Sequence, residues 1–345
     1  MTKQKQRIMA IAIIGVLLCI VSLLALHLGT IMIPIGGGIQ SILNGMGIPV
    51  HFTEPITAEQ EAVLWFIRMP RLIIGLLVGG ALALAGAVMQ GVFSNPLADP
   101  GIMGVSAGAS LGAVIAIALG FTSLGMFYMP AFAFVGAFVS VGITILLTLR
   151  NNKLDTTTLL LAGVAVSMLL EAFTSGILTM INEYRLREFL FWMVGGLDFR
   201  RWDHVLLAVG PIMTGSVILM MLGRHLNVLV LGDTEARALG VPVMVYRMLF
   251  LFLSSVITAT AVCVSGSIGF VGLVVPHIVR LLVGPDHRIL LPMAAIGGAL
   301  FLVFCDTLGR VVAQPVEIRV GIMTALLGAP YFLYLLHRLR SKGGA

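Results

Sequence analysis

Asp233, Glu235 and Arg237 sit in the stretch LVLGDTEARALGVP (229–242), an island of charge in an apolar chain. Asp233 is a candidate helix cap, Glu235 suits a first turn, and Gly240 with Pro242 ends the helix. Two turns are too short to stand alone in water, so the segment needs a surface to dock against. Its chemistry is that of recognition. Three arginines offer a second handle: Arg68 and Arg71 flank Pro70, and Arg310 follows Asp306 by four residues. A guanidinium stays charged and can grip a carboxylate through two bonds, or anchor to a lipid phosphate.

Catalytic and energy-coupling sets are missing. A phosphate-cradling loop ends in Gly-Lys-Ser/Thr, and none of the four lysines (Lys3, Lys5, Lys153, Lys342) follows a glycine. Glu171 is the one carboxylate near the middle of an apolar run. It reads as a buried acid bonded to a neighbouring helix, with cavity lining as the alternative, and no relay of Asp, Glu and His accompanies it. The seven histidines are scattered, and His277 near Arg280 has no nucleophile to serve. Cys19, Cys263 and Cys305 stand singly in apolar runs and read as packing residues. No catalytic residue, metal or cofactor is expected in this chain. The net charge of +6 forms no basic stripe with interleaved aromatics, so no nucleic-acid partner is expected either.

The elements that hold these residues are membrane spans. Of 345 residues, 59% are hydrophobic and 10% charged, against about 25% charged in soluble domains. No Asp, Glu, Lys or Arg lies between Arg7 and Glu54, between Arg71 and Asp99, between Pro100 and Arg150, or from Met248 to Val279. A span needs about 20 apolar residues, so the last two stretches each fold back once, at GFTSLGMFYMP (120–130) and SGSIGFVG (265–272). The count is ten spans, centred on 8–28, 70–90, 104–120, 130–149, 157–181, 204–222, 247–264, 270–283, 290–309 and 320–337. The chain reads as an all-α polytopic protein, one transmembrane domain over 1–345. An even number puts both termini on one side. Basic residues around both termini, and 13 Lys and Arg inside against 8 outside, make that side the cytoplasm. Gly86 precedes Pro96, and Gly266 precedes Pro276, by ten residues in spans that enter from opposite faces. Spans 2–5 and 7–10 are therefore candidates for an inverted repeat.

Four segments carry a resemblance: IRMPRLIIGLLVGGALALAGAVMQGVFSNPLADPGIMGVSAGASLGAV (67–114), GSIGFVGLVVPHIVRLLVGPDHRILLP (266–292), CDTLGRVVAQPVEIRVGIMTALLGAP (305–330) and the opening LGDTEARALGVP, with LDTTTLLLAGVAVS beside them. Together they resemble the FecCD/BtuC family of ABC-importer permeases over almost the whole chain. The resemblance implies ten spans per subunit, a second permease subunit (the same or a related chain) and two cytoplasmic ABC ATPases that bind ATP and Mg. It also implies a periplasmic or lipid-anchored substrate-binding protein, and residence in the cytoplasmic (inner) membrane.

The same resemblance assigns roles. The loop from about 223 to 247 carries the coupling helix that fits a cleft on the ATPase, with Leu231, Gly232, Asp233, Glu235, Ala236, Arg237, Leu239 and Gly240 as its residues. Ala236 and Leu239, three apart, are expected on one apolar face. Arg68, Arg71 and Arg310 are expected at the outer rim, meeting acids of the binding protein, while Arg185, Arg187, Arg200 and Arg201 are secondary candidates. Asn95, Leu97, Thr156 and Thr157 are expected to form the cytoplasmic gate. The implied cargo is an iron chelate, a ferric siderophore or haem, with cobalamin as the alternative. An ion-coupled secondary transporter is the rival from another class.

Overall fold

The structure, a computed structural model, describes residues 3–51, 56–150 and 153–343. The side chains of Lys3, Lys153 and Lys342, three of the four lysines behind the inside bias, lie outside the described ones. In chain order the helices are α1 (Lys3–His27), α2 (Ile35–Gly45), α3 (Ala58–Val63), α4 (Met69–Val92), α5 (Val105–Ala118), α6 (Tyr128–Thr148), α7 (Thr156–Leu178) and α8 (Glu183–Met193). They continue with α9 (Trp202–Met221), α10 (Gly223–Leu229), α11 (Asp233–Ala238), α12 (Val243–Ser265), α13 (Val271–Val283), α14 (His287–Val312) and α15 (Val320–Gly343). A π-helical turn over Leu64–Arg68 joins α3 to α4 without a break. A short antiparallel ladder pairs Leu149 with Leu154 and Arg150 with Lys153 at the tip between α6 and α7.

Among the described residues seven helices are long and apolar enough to cross a membrane, and three shorter apolar ones, α5, α13 and α15, complete the ten. The end reached by the start of α1 and the finish of α15 is called proximal here, the opposite end distal. Helices α4 and α12 are the most enclosed and α1 and α7 the least. Helix α4 packs along α14, α12 and α13, and α5 lies against α6. Exchanging α4–α7 for α12–α15 maps packed pairs onto packed pairs: α4 on α14 becomes α12 on α6, and α5 on α7 becomes α13 on α15. That is the neighbour pattern an inverted repeat requires.

Close helix approach follows from small residues. A side chain at Gly79 would strike the Gly298 carbonyl, and one at Gly112 that of Phe132. Two contacts are tightest: Gly86 in α4 against the Gly272 carbonyl at the start of α13, and Gly321 in α15 against the Val194 carbonyl. With 14 and 13 residues, α5 and α13 are about 20 Å long at 1.5 Å per residue, short of the roughly 30 Å hydrocarbon core. The chain covers the remaining depth in loops, 93–104 and 266–270, which is tolerated only where protein satisfies the bare backbone. Gly196 N–H donates to the Ser265 carbonyl at 2.8 Å, and Asp99 accepts from Gly101 N–H at 2.8 Å. Pro276 inside α13 removes the donor that Gly272 would have used. The Gln90 amide replaces it, donating to the carbonyls of Leu273 at 3.2 Å and Gly272 at 3.5 Å.

Replacing Gly86 with Ala forces α4 away from α13 and should cost about 1–3 kcal/mol. Gly142→Ala in α6, where nothing lies within 4 Å of the new carbon, should be neutral or stabilising by up to about 1 kcal/mol. Thermal unfolding of the two purified variants measures the difference.

Candidate coupling, gating and docking sites

Helix α11 projects from the proximal end. The helix stops as its sequence dictates: Gly240 takes φ +77°, its N–H donates to the Arg237 carbonyl and Val241 N–H to that of Ala236. This is the paired bonding of a glycine-terminated helix. Its start differs from expectation. Gly232 occupies the cap position and no side chain caps the helix. Asp233 instead pairs with Arg247 of α12 at 2.6 Å. Arg247 is buried, and a buried cation has the stronger claim on a carboxylate. Ala236 and Leu239 also do not share a face. Ala236 is wholly buried, pinning α11 to the bundle, while Leu239 is 63% exposed. Glu235, Arg237, Gly240 and Leu231 are exposed beside it, so the presented surface is two leucines, Leu231 and Leu239, flanked by charge, on a helix fixed by an ion pair and a buried methyl.

The root of this lever adjoins the gate candidates. Asp155, the N-cap of α7, accepts from the Thr158 amide at 2.7 Å and hydroxyl at 2.6 Å. Those two bonds hold its carboxyl below the usual range, with a smaller contribution from the charge of Arg247. Thr156 and Thr157 therefore start a helix that lies within the electrostatic reach of the lever's anchor. Asn95 closes a tight turn by accepting from Leu97 N–H at 2.9 Å. A cavity of about 540 Å³ lies between that turn (Ser94, Asn95, Pro96) and the end of α10 that leads into α11 (Asn227, Val230, Leu231). Asn227 crosses its edge, donating to Asp286 at 2.8 Å and accepting from the His287 amide at 2.9 Å. Asp286 also binds the Arg288 side chain, and these bonds, Arg288's first, hold its carboxyl well below the ordinary carboxylate range.

At the distal end the three arginines expected on an open rim are all buried. Arg68 donates to the Leu26 carbonyl at 2.6 Å and to that of Ile31. Arg310 donates to the Ala25 carbonyl at 3.0 Å. Both serve the carbonyls at the end of α1, where a helix leaves acceptors unsatisfied and its dipole favours cations. Arg71 is the hub: it binds Asp306 at 2.9 Å, Asp198 at 3.0 Å and Glu317 at 2.8 Å. This burial has a physical cause. At a span end, bare helix termini and three carboxylates compete for the same guanidiniums before a partner arrives.

Other distal residues stay available. Arg187, paired with Glu183 one turn away, and Arg201, 3.6 Å from Asp203, are about 70% exposed. A cavity of about 550 Å³ opens between the start of α4, the end of α8 and the 194–201 and 313–319 loops. Arg200 lines it, and burial lowers its guanidinium to about 10 with Asp198 pulling it back. Arg185 binds the Ala118 carbonyl at 2.9 Å at the end of α5. Glu171 does not take the buried reading: it lies on the exposed side of α7, with Met168 and Phe173. A carboxylate at that depth is too costly against lipid, so this face meets water or a second protein. Helices α2, α8 and α10 are short, bounded by loops and outside the ten expected spans.

Ten apolar helices, two of them short and entered through loops, and a short projecting helix at one end are the architecture of a polytopic membrane protein. The FecCD transport family profile matches residues 17–338, and the chain belongs to that family of ABC-importer permeases. It is 46% identical over 289 residues to the cobalamin import system permease protein BtuC of Halobacterium salinarum, covering 84% of this chain and 76% of that one. It is 44% identical over 295 residues to the hemin transport system permease protein HmuU of Yersinia pestis, covering 83% and 87%. A solved structure described as an inward-facing, metal-chelate type ABC transporter superposes with a TM-score of 0.83 at 32% identity, covering 94% and 97%.

Arg71→Gln leaves three carboxylates around a vanished cation and should cost about 3–5 kcal/mol of folding stability, whereas exposed Arg187→Gln should cost under about 1 kcal/mol. Denaturation of the purified variants checks this, and an Arg71→Gln protein as stable as the native one would show that the three-carboxylate cluster does not hold the fold. Asp286→Ala should cost about 1 kcal/mol as a lost cap. A depressed carboxyl stabilises fully above its unfolded value of about 3.9 and loses that only as pH falls through its lower folded value. The Asp286→Ala deficit should thus be flat from about pH 5 to 8 in thermal melts.

Proposed function

We propose that this chain is the membrane-spanning subunit of a binding-protein-dependent importer that carries an iron chelate, a ferric siderophore or haem, into the cytoplasm. ATP with Mg is bound and hydrolysed by a separate ATPase, and this chain needs no cofactor of its own. The observation that carries the reading is α11, which presents Leu239 outward while Arg247–Asp233 and buried Ala236 make it rigid with α12. A rigid, partly apolar lever transmits a partner's motion, and a floppy one would absorb it. The cavity between the end of α10 that leads into the lever and the 94–96 turn gives that motion room to close or open the gate of Asn95, Leu97, Thr156 and Thr157. Each step follows alternating access, in which nucleotide and cargo favour different states.

The proximal end is then cytoplasmic, with both termini, and the membrane is the cytoplasmic (inner) one. The exposed faces of α7 and α15, with Leu161, Met168 and Leu326, are offered to a second permease subunit. The binding protein docks at the distal end, around Arg68, Arg71 and Arg310, with the exposed Arg187 and Arg201 as further contacts. Cobalamin is the second cargo, favoured by the 46% identity to a cobalamin permease.

Co-expression with the neighbouring ATPase tests the assembly. A stoichiometric complex and ATP-dependent uptake in proteoliposomes are expected, and uptake by the chain alone on an ion gradient would establish a secondary transporter instead. Leu239→Glu should leave folding unchanged, because the side chain is exposed, and abolish ATP-driven uptake. Uptake and ATPase association that both survive the change overturn the role given to α11.

A further inference from the structure

We propose that the distal cavity is a carboxylate-binding vestibule for the cargo, so that the chain selects an acidic chelate with a flat or aromatic body over one without free carboxylates. This rests on the transport reading above and narrows its substrate class.

Charge comes first. Four arginines (Arg71, Arg200, Arg201, Arg319) and two carboxylates (Asp198, Glu317) line the cavity, and Asp306 on Arg71 and Asp203 at 3.6 Å from Arg201 answer two further charges from outside the lining. Both carboxylates are already engaged by Arg71, at 3.0 and 2.8 Å, and Asp198 is also 3.9 Å from Arg319. Arg200 has no ion-pair partner among the described residues. Its one hydrogen bond is a 3.5 Å contact with the Gly196 carbonyl, and its Nε is buried with no hydrogen-bond partner among the described residues. A desolvated guanidinium edge without an acceptor is the kind of group that a ligand carboxylate completes.

The walls supply the second half. Phe66, Phe191 and Phe199 come from three separate elements. The Arg319 guanidinium lies 4.6 Å above the Phe191 ring and donates to the Phe191 carbonyl, so its orientation is preset. Phe199 is 91% exposed and holds φ +58°, a conformation that a bulky residue rarely adopts. The ring thus stands at the mouth, where a flat ligand can stack. The volume, about 550 Å³, falls in the range of roughly 300–1,000 Å³ typical of small-molecule sites. An acidic side chain of a docking protein is the lesser candidate, because the unpaired Nε is recessed while Arg187 and Arg201 already serve the outer surface.

The chain's three tryptophans report on this place: Trp65, Trp192 and Trp202 each adjoin a lining residue in sequence. Their quenching is measured in the purified permease–ATPase complex with hemin, hemin dimethyl ester, ferric citrate and cobalamin. The ester keeps the ring and metal and lacks the free carboxylates. Hemin should bind at least about tenfold tighter than its ester, the worth of one charge-assisted hydrogen bond. Arg200→Gln should reduce that preference to about twofold or less, and Arg200→Lys should keep part of it, since the charge remains and the fork is lost. Equal affinity for acid and ester, an unchanged preference in Arg200→Gln, cobalamin bound as tightly as hemin, or no saturable binding of either hemin or ferric citrate overturns the proposal. Should Arg200→Gln fail to fold, the acid-to-ester ratio of the native protein decides alone. The transport reading fails separately: if no ATPase complex forms, quenching of the permease alone still tests the vestibule.

Discussion

A hydrocarbon core cannot solvate a backbone carbonyl or amide, and the tertiary structure of this permease follows from where that rule is strained. Helices α5 and α13 are too short to span, so their approaches run as loops at membrane depth. Each exposed backbone group then needs a donor or acceptor from the protein. Gln90 supplies one across the α4–α13 contact, Asp99 caps its own loop, and Gly196 meets Ser265. These bonds need the helices to touch, which is why Gly86 faces the Gly272 carbonyl with no side chain between.

The same rule claims the distal arginines. The carbonyls ending α1 are satisfied by Arg68 and Arg310, reaching in from the π-helical turn before α4 and from α14, and those ending α5 by Arg185. Arg71 gathers Asp198, Asp306 and Glu317 from three separate segments. The distal end is therefore knit into one unit by charge, with Arg200 left over. At the proximal end Arg247 ties to Asp233, and Asn227 and Arg288 tie to Asp286, beside a cavity.

Much of the architecture was legible in the chain. Charge-free runs with glycine-rich breaks gave ten spans, and the ten helices found fall on them within a few residues. The end of α11 at Gly240 was equally plain, because only glycine takes that φ at no cost. Legibility failed where a residue's partner lies far along the chain. Asp233 looks like a cap until Arg247, fourteen residues on, is seen beside it. Arg71 looks like a free rim charge until Asp306, 235 residues away, closes on it. Glu171 reads as a buried acid in any apolar run, and only packing shows that α7 turns it outward.

What the sequence determined by itself was the solvent and the count: apolar runs of spanning length must leave water, and charges between them must stay at the ends. It also fixed the local stops, since glycine and proline act through their own backbone. What the tertiary structure alone decided was which charges are spent and which remain. Pairing energy depends on distance in space, and residues hundreds of positions apart meet only when the helices pack.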